Sequence, residues 1–212
     1  MSQVVLDNPH EMGCTGLPHR KVLMWAFLAS DCMFFGCLIS TYFIYRGRSP
    51  AGTPQPEDIF DIPLTSTSSF VLLASSYLMV LALAAIQRGD MGKFRLWTAG
   101  TAFFGSIFLG FQIYEFSHFY KHGGLGLTTN LFGSTFYVLT GTHGCHVAIG
   151  VLWLMALCIL SFKGGMSQKR QLDVEIAGLY WHFVDIVWIV IFGGVYLLEY
   201  IITPGGNPTI IH

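Results

Sequence analysis

The chain has 212 residues, of which 53% are hydrophobic and only 11% charged, with a formal net charge of -1. A mean hydropathy of +0.57, set against the roughly 25% charged residues of an ordinary soluble domain, excludes a soluble globular fold and points to an integral membrane protein. The near-neutral balance, without blocks of like charge, also excludes a basic surface for nucleic acid.

Residues 1–19 form a polar leader containing Pro9, Gly13 and Gly16. It has no apolar stretch of the secretory type, so the first span is expected to act as its own insertion signal. His10, Glu11 and Cys14 are metal-binding residue types, but in a terminal segment they read as solvated. Five runs free of lysine and arginine come next, at 22–45, 66–86, 96–117, 131–162 and 176–202. Each reaches the roughly 20 residues needed to cross about 30 Å of hydrocarbon. The expected fold is all-α, an integral membrane bundle of five transmembrane helices over 20–203 with an external tail at 204–212.

Residues 46–65 contain Pro50, Pro54, Pro56 and Pro63 and read as an ordered, non-helical external loop. The fourth run is longer than a bilayer needs, so it should tilt, project, or kink near Gly141, Gly144 or Gly150. Arg20, Lys21, Arg88, Lys93, Arg95, Lys163, Lys169 and Arg170 fall on one side, against Arg46, Arg48 and Lys121 on the other. By the positive-inside bias the N-terminus is inside and the C-terminus outside. Trp25, Trp97 and Trp181 lie near the inner ends of their runs and read as interfacial indoles.

Cys32, Cys37, Cys145 and Cys158 lack any recurrent spacing and read as small helix-packing residues. Gly36, Ser40, Gly100, Gly105, Gly110, Gly141, Gly144, Gly150, Gly193 and Gly194 are expected at close helix contacts. No internal repeat is visible, which argues against a transporter built from duplicated halves.

Ionisable groups inside hydrocarbon are costly unless they face protein or water and find a partner, so they carry the functional signal. At 1.5 Å per residue, Asp31 and Asp185 lie roughly 15 Å from the inner end, His182 roughly 10 Å and His146 roughly 25 Å, with His143 one turn farther out. Glu115 and Glu199 fall near the outer surface. His143 with His146, and His182 with Asp185, form two i,i+3 stripes that could meet across the bundle. One reading makes His143, His146, His182, Asp185 and Glu199 a structural polar network, in which losing His146 or Asp185 strands a hydrogen-bonding partner. A second holds Asp31, with Glu115, as an intramembrane carboxyl at a lipid or proton-uptake surface. A third makes the histidines ligands of haem or copper, as in a b-type cytochrome, but the deep imidazoles lack two facing pairs at matched depth.

Four stretches are more specific. Residues 24–35, with Ser30-Asp31-Cys32-Met33-Phe34-Phe35 at their end, resemble the first helix of the short, five-helix form of haem-copper oxidase subunit III. Gly110-Phe111-Gln112-Ile113-Tyr114-Glu115-Phe116, Thr140-Gly141-Thr142-His143-Gly144-Cys145-His146-Val147 and Tyr180-Trp181-His182-Phe183-Val184-Asp185-Ile186-Val187-Trp188 resemble three further motifs of that family, in the same order. Asp31 stands where the family usually has glutamate.

The resemblance implies an accessory subunit of a proton-pumping terminal oxidase that reduces oxygen to water. Such a subunit has no catalytic, metal or cofactor site of its own; haem and copper belong to the partner subunits, and phospholipid is a candidate ligand. It implies contact with subunit I, then subunit II and a small subunit IV, with a larger respiratory supercomplex as a further candidate, in a bacterial or archaeal inner membrane. An equivalent subunit of a quinol oxidase or a nitric oxide reductase is the alternative within the family.

Overall fold

The computed structural model describes residues 17–45, 62–121, 126, 129–167 and 170–198. These form α1 (His19–Tyr45), α2 (Ile62–Gln87), α3 (Met91–Lys121), α4 (Leu131–Phe162) and α5 (Gln171–Ile191), which continues into a π-helical turn, Phe192–Leu197. All five are long and apolar enough to cross a membrane. Most of the leader, the greater part of the 46–65 loop, and the tail with Glu199 lie outside the described residues.

α1, α2 and α3 extend beyond their apolar runs, α4 coincides with its run, and α5 starts five residues before its own. α2 starts at Ile62, four residues before its run, with Pro63 in the first turn, where the missing N–H has no helical partner to lose. That places 62–65 in the helix, where the sequence suggested loop. Gly89 (φ 77) turns the chain between α2 and α3, and Asp90 Oδ1 accepts from the Lys93 N–H at 3.0 Å to start α3. This hydrogen bond and the adjacent lysine hold the Asp90 carboxyl below its ordinary pKa. Asn130 caps α4 by accepting from the Gly133 N–H at 2.6 Å, and Gly164 (φ 74) reverses the chain after it. α4 runs uninterrupted through Gly141, Gly144 and Gly150.

α1, α4, α3 and α2 form an arc in that spatial order, and α5 lies inside it against α1, α4 and α2. Over their most apolar 18 residues, 61% of α5 is buried against 17% of α1. α1 therefore docks by a single stripe, Leu28, Phe35 and Tyr42, one heptad apart, and leaves its other faces open.

One end of the bundle is tied by charge. Arg20 Nη1 lies 2.7 Å from Asp173 Oδ1, Arg170 Nε 3.3 Å from Asp173 Oδ2, and Lys21 bonds Glu175, so α1 is fastened to the first turns of α5. Arg95 of α3 donates to the Ser161 carbonyl of α4 at 2.7 Å and lies over the Phe162 ring. Basic residues at the start of α1, at the start of α3 and in the α4–α5 turn thus share one end.

Candidate functional site

α2 carries none of the quoted motifs, yet its hydroxyls organise the buried face of α5. Thr65, Ser68, Ser69, Leu72, Ser75 and Met79 are buried on one helical face. Ser75 Oγ accepts from Trp181 Nε1 at 3.0 Å and Ser69 Oγ from Trp188 Nε1 at 2.8 Å. Each serine donates its own proton back to an α2 carbonyl, Ser75 to Leu72 and Ser69 to Thr65, so both are satisfied. Trp181 is therefore a buried anchor, 1% exposed, and not the interfacial indole expected from its position near the start of the apolar run. α5 begins at Gln171, which carries Trp181 well inside the bundle.

Small residues make room for it. A Cβ on Gly105 would lie 2.5 Å from Trp181 Cη2, and one on Gly150 would lie 2.9 Å from the same indole. Gly144 leaves space for Gln112, whose Nε2 donates to the Thr140 carbonyl at 2.6 Å. Gly100 and Gly194 also sit against side chains, Leu78 and Phe43. Gly36, Gly110 and Gly193 do not, having nothing within 4 Å, and Ser40, Cys32, Cys37 and Cys145 are exposed. For these residues the packing role expected from size is not realised within this chain. A small residue in an apolar helix is compatible with either face.

The π turn at the end of α5 inserts one residue, which rotates the remainder of the helix by about 100° and brings Tyr196 onto the face of Trp188. Tyr196 then donates to Glu115 Oε2 at 3.2 Å while Thr65 donates to Glu115 Oε1 at 2.7 Å. The Glu115 carboxyl is buried, shared by α2, α3 and the end of α5.

His143 is fully buried. Its Nε2 donates to the Val184 carbonyl at 3.1 Å and its ring stacks on Trp188 at 4.9 Å. His146 Nδ1 lies 2.8 Å from the Thr142 carbonyl, and a carbonyl only accepts, so Nδ1 carries a proton. Its Nε2 faces Asp31 Oδ2 at 3.4 Å across the α1–α4 contact. A neutral imidazole and a carboxylate would then oppose two acceptors. Tyr180 closes the site by donating to the His146 carbonyl at 2.9 Å.

His182 takes a different partner, Ser76 Oγ, at 2.6 Å from Nδ1. Asp185, 3% exposed, has Ser76 beside it but no hydrogen bond of good geometry to either carboxyl oxygen.

The two i,i+3 stripes therefore do not meet as stripes. Residues three apart differ by about 60° around a helix, and in a crowded bundle that is enough to face different neighbours. His143 turns to α5, His146 to α1, Asp185 to α2 and His182 to the open edge beside α2. The depth count that separated Asp31 from His146 also fails, because the ends of apolar runs do not share a plane. For Asp185 the polar neighbour is Ser76, without a hydrogen bond of good geometry. Among the described residues no three of His, Cys, Asp and Glu converge as a metal-binding group.

Sequence reasoning missed the α2 hydroxyls and Tyr196. The 65, 68, 69, 75, 76 spacing was a usable signal for a polar helical face; the π turn left none apart from the Gly193-Gly194 pair.

Comparison with known proteins agrees with the motif reading. The family model described as cytochrome c oxidase subunit III matches residues 19–200. Over 174 residues the chain is 40% identical to quinol oxidase subunit 3 of Bacillus subtilis (strain 168), covering 82% of this chain and 84% of that one. It is likewise 40% identical over 174 residues to cytochrome c oxidase subunit 3 of Bacillus sp. (strain PS3), covering 82% and 83%. A Synechocystis cytochrome c oxidase subunit 3 is 43% identical over 173 residues, covering 81% of this chain and 72% of that one. With bacterial relatives and five membrane-crossing helices, it is a multi-pass protein of the inner membrane. The chain belongs to the cytochrome c oxidase subunit III family and is part of a haem-copper oxidoreductase complex.

Proposed function

We propose that this chain is the non-catalytic, cofactor-free subunit that stands beside the haem-copper catalytic subunit of a proton-pumping terminal oxidase, sustaining proton uptake and prolonging the life of the enzyme in turnover. The observation that carries this reading is the Asp31–His146 pair, in which Asp31 Oδ2 faces His146 Nε2 at 3.4 Å several turns inside α1. The Asp31 side chain is 13% exposed, so it reaches the edge of the bundle as well as the imidazole, with Oδ2 itself buried. A carboxyl and an imidazole set side by side at the edge of the bundle are groups through which a proton can reach an adjoining chain. Haem and copper then reside in the partners, subunits I and II; a small subunit IV and phospholipid are further neighbours. The basic end of the bundle faces the inside, by the positive-inside bias. The 40% identity to both a quinol oxidase and a cytochrome c oxidase subunit reflects architecture common to the two, and leaves the electron donor to the partner subunits.

The test is a tag on this chain in native membranes. The recovered particle is expected to contain a catalytic haem-copper subunit and to reduce oxygen; recovery of the chain with no such subunit overturns the reading. In the same particle Asp31→Ala is expected to leave assembly and initial rate close to wild type, because His146 keeps its Thr142 bond. The number of turnovers before inactivation should fall several-fold, with recovery in Asp31→Glu. An unchanged lifetime removes Asp31 from the functional site.

A further inference from the structure

The arc of helices is open on one side. α1 packs on α4 and α5, α2 packs on α3 and α5, and between them one face of α5 is left uncovered by the other described residues. Ile186, Ile189 and Val190 on that face are 59%, 48% and 50% exposed, and Gly193 has nothing within 4 Å of where its Cβ would be. Leu73, Tyr77 and Val80 of α2, all exposed, form the adjoining wall. The result is a groove one helix wide along the long axis of the bundle.

Its apolar length alone would suit an acyl chain as well as a protein. The polar groups at its middle decide between them. Tyr77 is 65% exposed, and its hydroxyl has no partner among the described residues. It lies about 15 Å along α2 from Gln87 and farther from Ile62, so a phenol cannot reach either interface. At the same level, Ser76 fixes His182 through Nδ1, which leaves the half-buried Nε2 as the second hydrogen-bonding atom beside the groove. Asp185 lies behind Ser76 with both carboxyl oxygens unbonded.

Several other accessible hydroxyls of the helices are self-satisfied. Ser30, Thr41, Ser106 and Thr135 each donate to a carbonyl of their own helix at 2.7 to 3.0 Å. The exposed Tyr114 and Tyr120 sit in the last two turns of α3, within reach of the interface. Tyr77 and His182 thus present unsatisfied hydrogen-bonding atoms near mid-span on this open face, among the described residues. Hydrocarbon cannot supply their partners.

We propose that the groove between α1 and α2, floored by the open face of α5, seats a transmembrane helix of a neighbouring oxidase subunit that carries a hydrogen-bonding side chain at the level of Tyr77 and His182. Such side chains strengthen helix association in a bilayer, where apolar packing gives no hydrophobic drive. The missing Cβ at Gly193 allows that helix a close approach towards the other end of the groove.

This inference rests on the chain being an oxidase subunit, and its test separates the two. A photoactivatable benzoylphenylalanine is placed at Ile186 on the groove floor, and at Phe103 of α3 as a comparison on a face away from it, in the complex in native membranes. The expected result is an adduct from position 186 to a transmembrane segment of another oxidase subunit. In an oxidase complex that is recovered intact, an adduct from 186 to lipid only or to a second copy of this chain overturns the groove assignment. So does a protein adduct from 103 with none from 186. If no oxidase subunit is recovered with the unmodified chain, the family function itself fails. Tyr77→Phe keeps the ring and removes only the hydroxyl. It is expected to lower the fraction of this chain retained on the complex in detergent by about threefold, and undiminished retention overturns the polar part of the proposal.

Discussion

Gly105→Ala should unfold more readily than wild type, by about 1–3 kcal/mol for overpacking a filled site. The added methyl would stand 2.5 Å from Trp181 Cη2 and 2.9 Å from Val151 Cγ2, both well inside van der Waals contact. Trp181 has no room to retreat. Its other side meets Gly150 at a similar spacing, and its Nε1 is tied to Ser75 at 3.0 Å. Moving the ring would strand a buried N–H in addition to the clash. Gly110→Ala is the internal comparison: it lies on the same helix with nothing within 4 Å, so removing glycine's helix penalty should leave stability unchanged or raise it by up to about 1 kcal/mol. Denaturation of the two variants in mixed detergent measures the difference. Equal stabilities would mean that Trp181 is not held as described.

Glu115→Leu is expected to cost more than Glu115→Gln, and the contrast shows whether this carboxyl works by bonding or by charge. Leucine would leave the Thr65 and Tyr196 hydroxyls buried without their acceptor, at about 1–3 kcal/mol for each. Those hydroxyls belong to α2 and to the end of α5, so the loss should loosen that end of three helices together. Glutamine keeps an oxygen for Thr65 and an amide N–H that the Tyr196 hydroxyl can accept, so it should retain most of the stability. Thermal melting of the purified complex gives the order wild type, Gln, Leu. The Gln complex should also keep its turnover lifetime; a lifetime lost in Gln without loss of stability would make Glu115 a participant in proton handling.

The contrast between Glu115 and Asp31 marks the limit of reading them together. From the chain alone both are carboxyls in apolar helices and share one functional label. The fold gives Glu115 hydroxyl donors on two other elements and gives Asp31 a histidine and a partial opening to the surface. Their chemistry diverges because of neighbours on other helices, far away in sequence, not because of anything within their own helices.

What the sequence determines by itself is the solvent and the gross plan. The length of each apolar run defines five spans, the clustered lysines and arginines mark one end, and four motifs in order identify the family. The tertiary structure alone decides which face of each helix does what: that Gly105 and Gly150 receive Trp181 while Gly36 and Gly110 meet nothing, that α2 supplies the hydroxyls, that His146 turns to Asp31, and that α5 stays open beside Tyr77. The reason is physical. In water, burial writes a hydrophobic stripe into a helix, but in a bilayer the lipid-facing side is as apolar as the packed one. Helix faces are then set by close packing and by the pairing of a few polar atoms, which emerge only when distant segments are brought together.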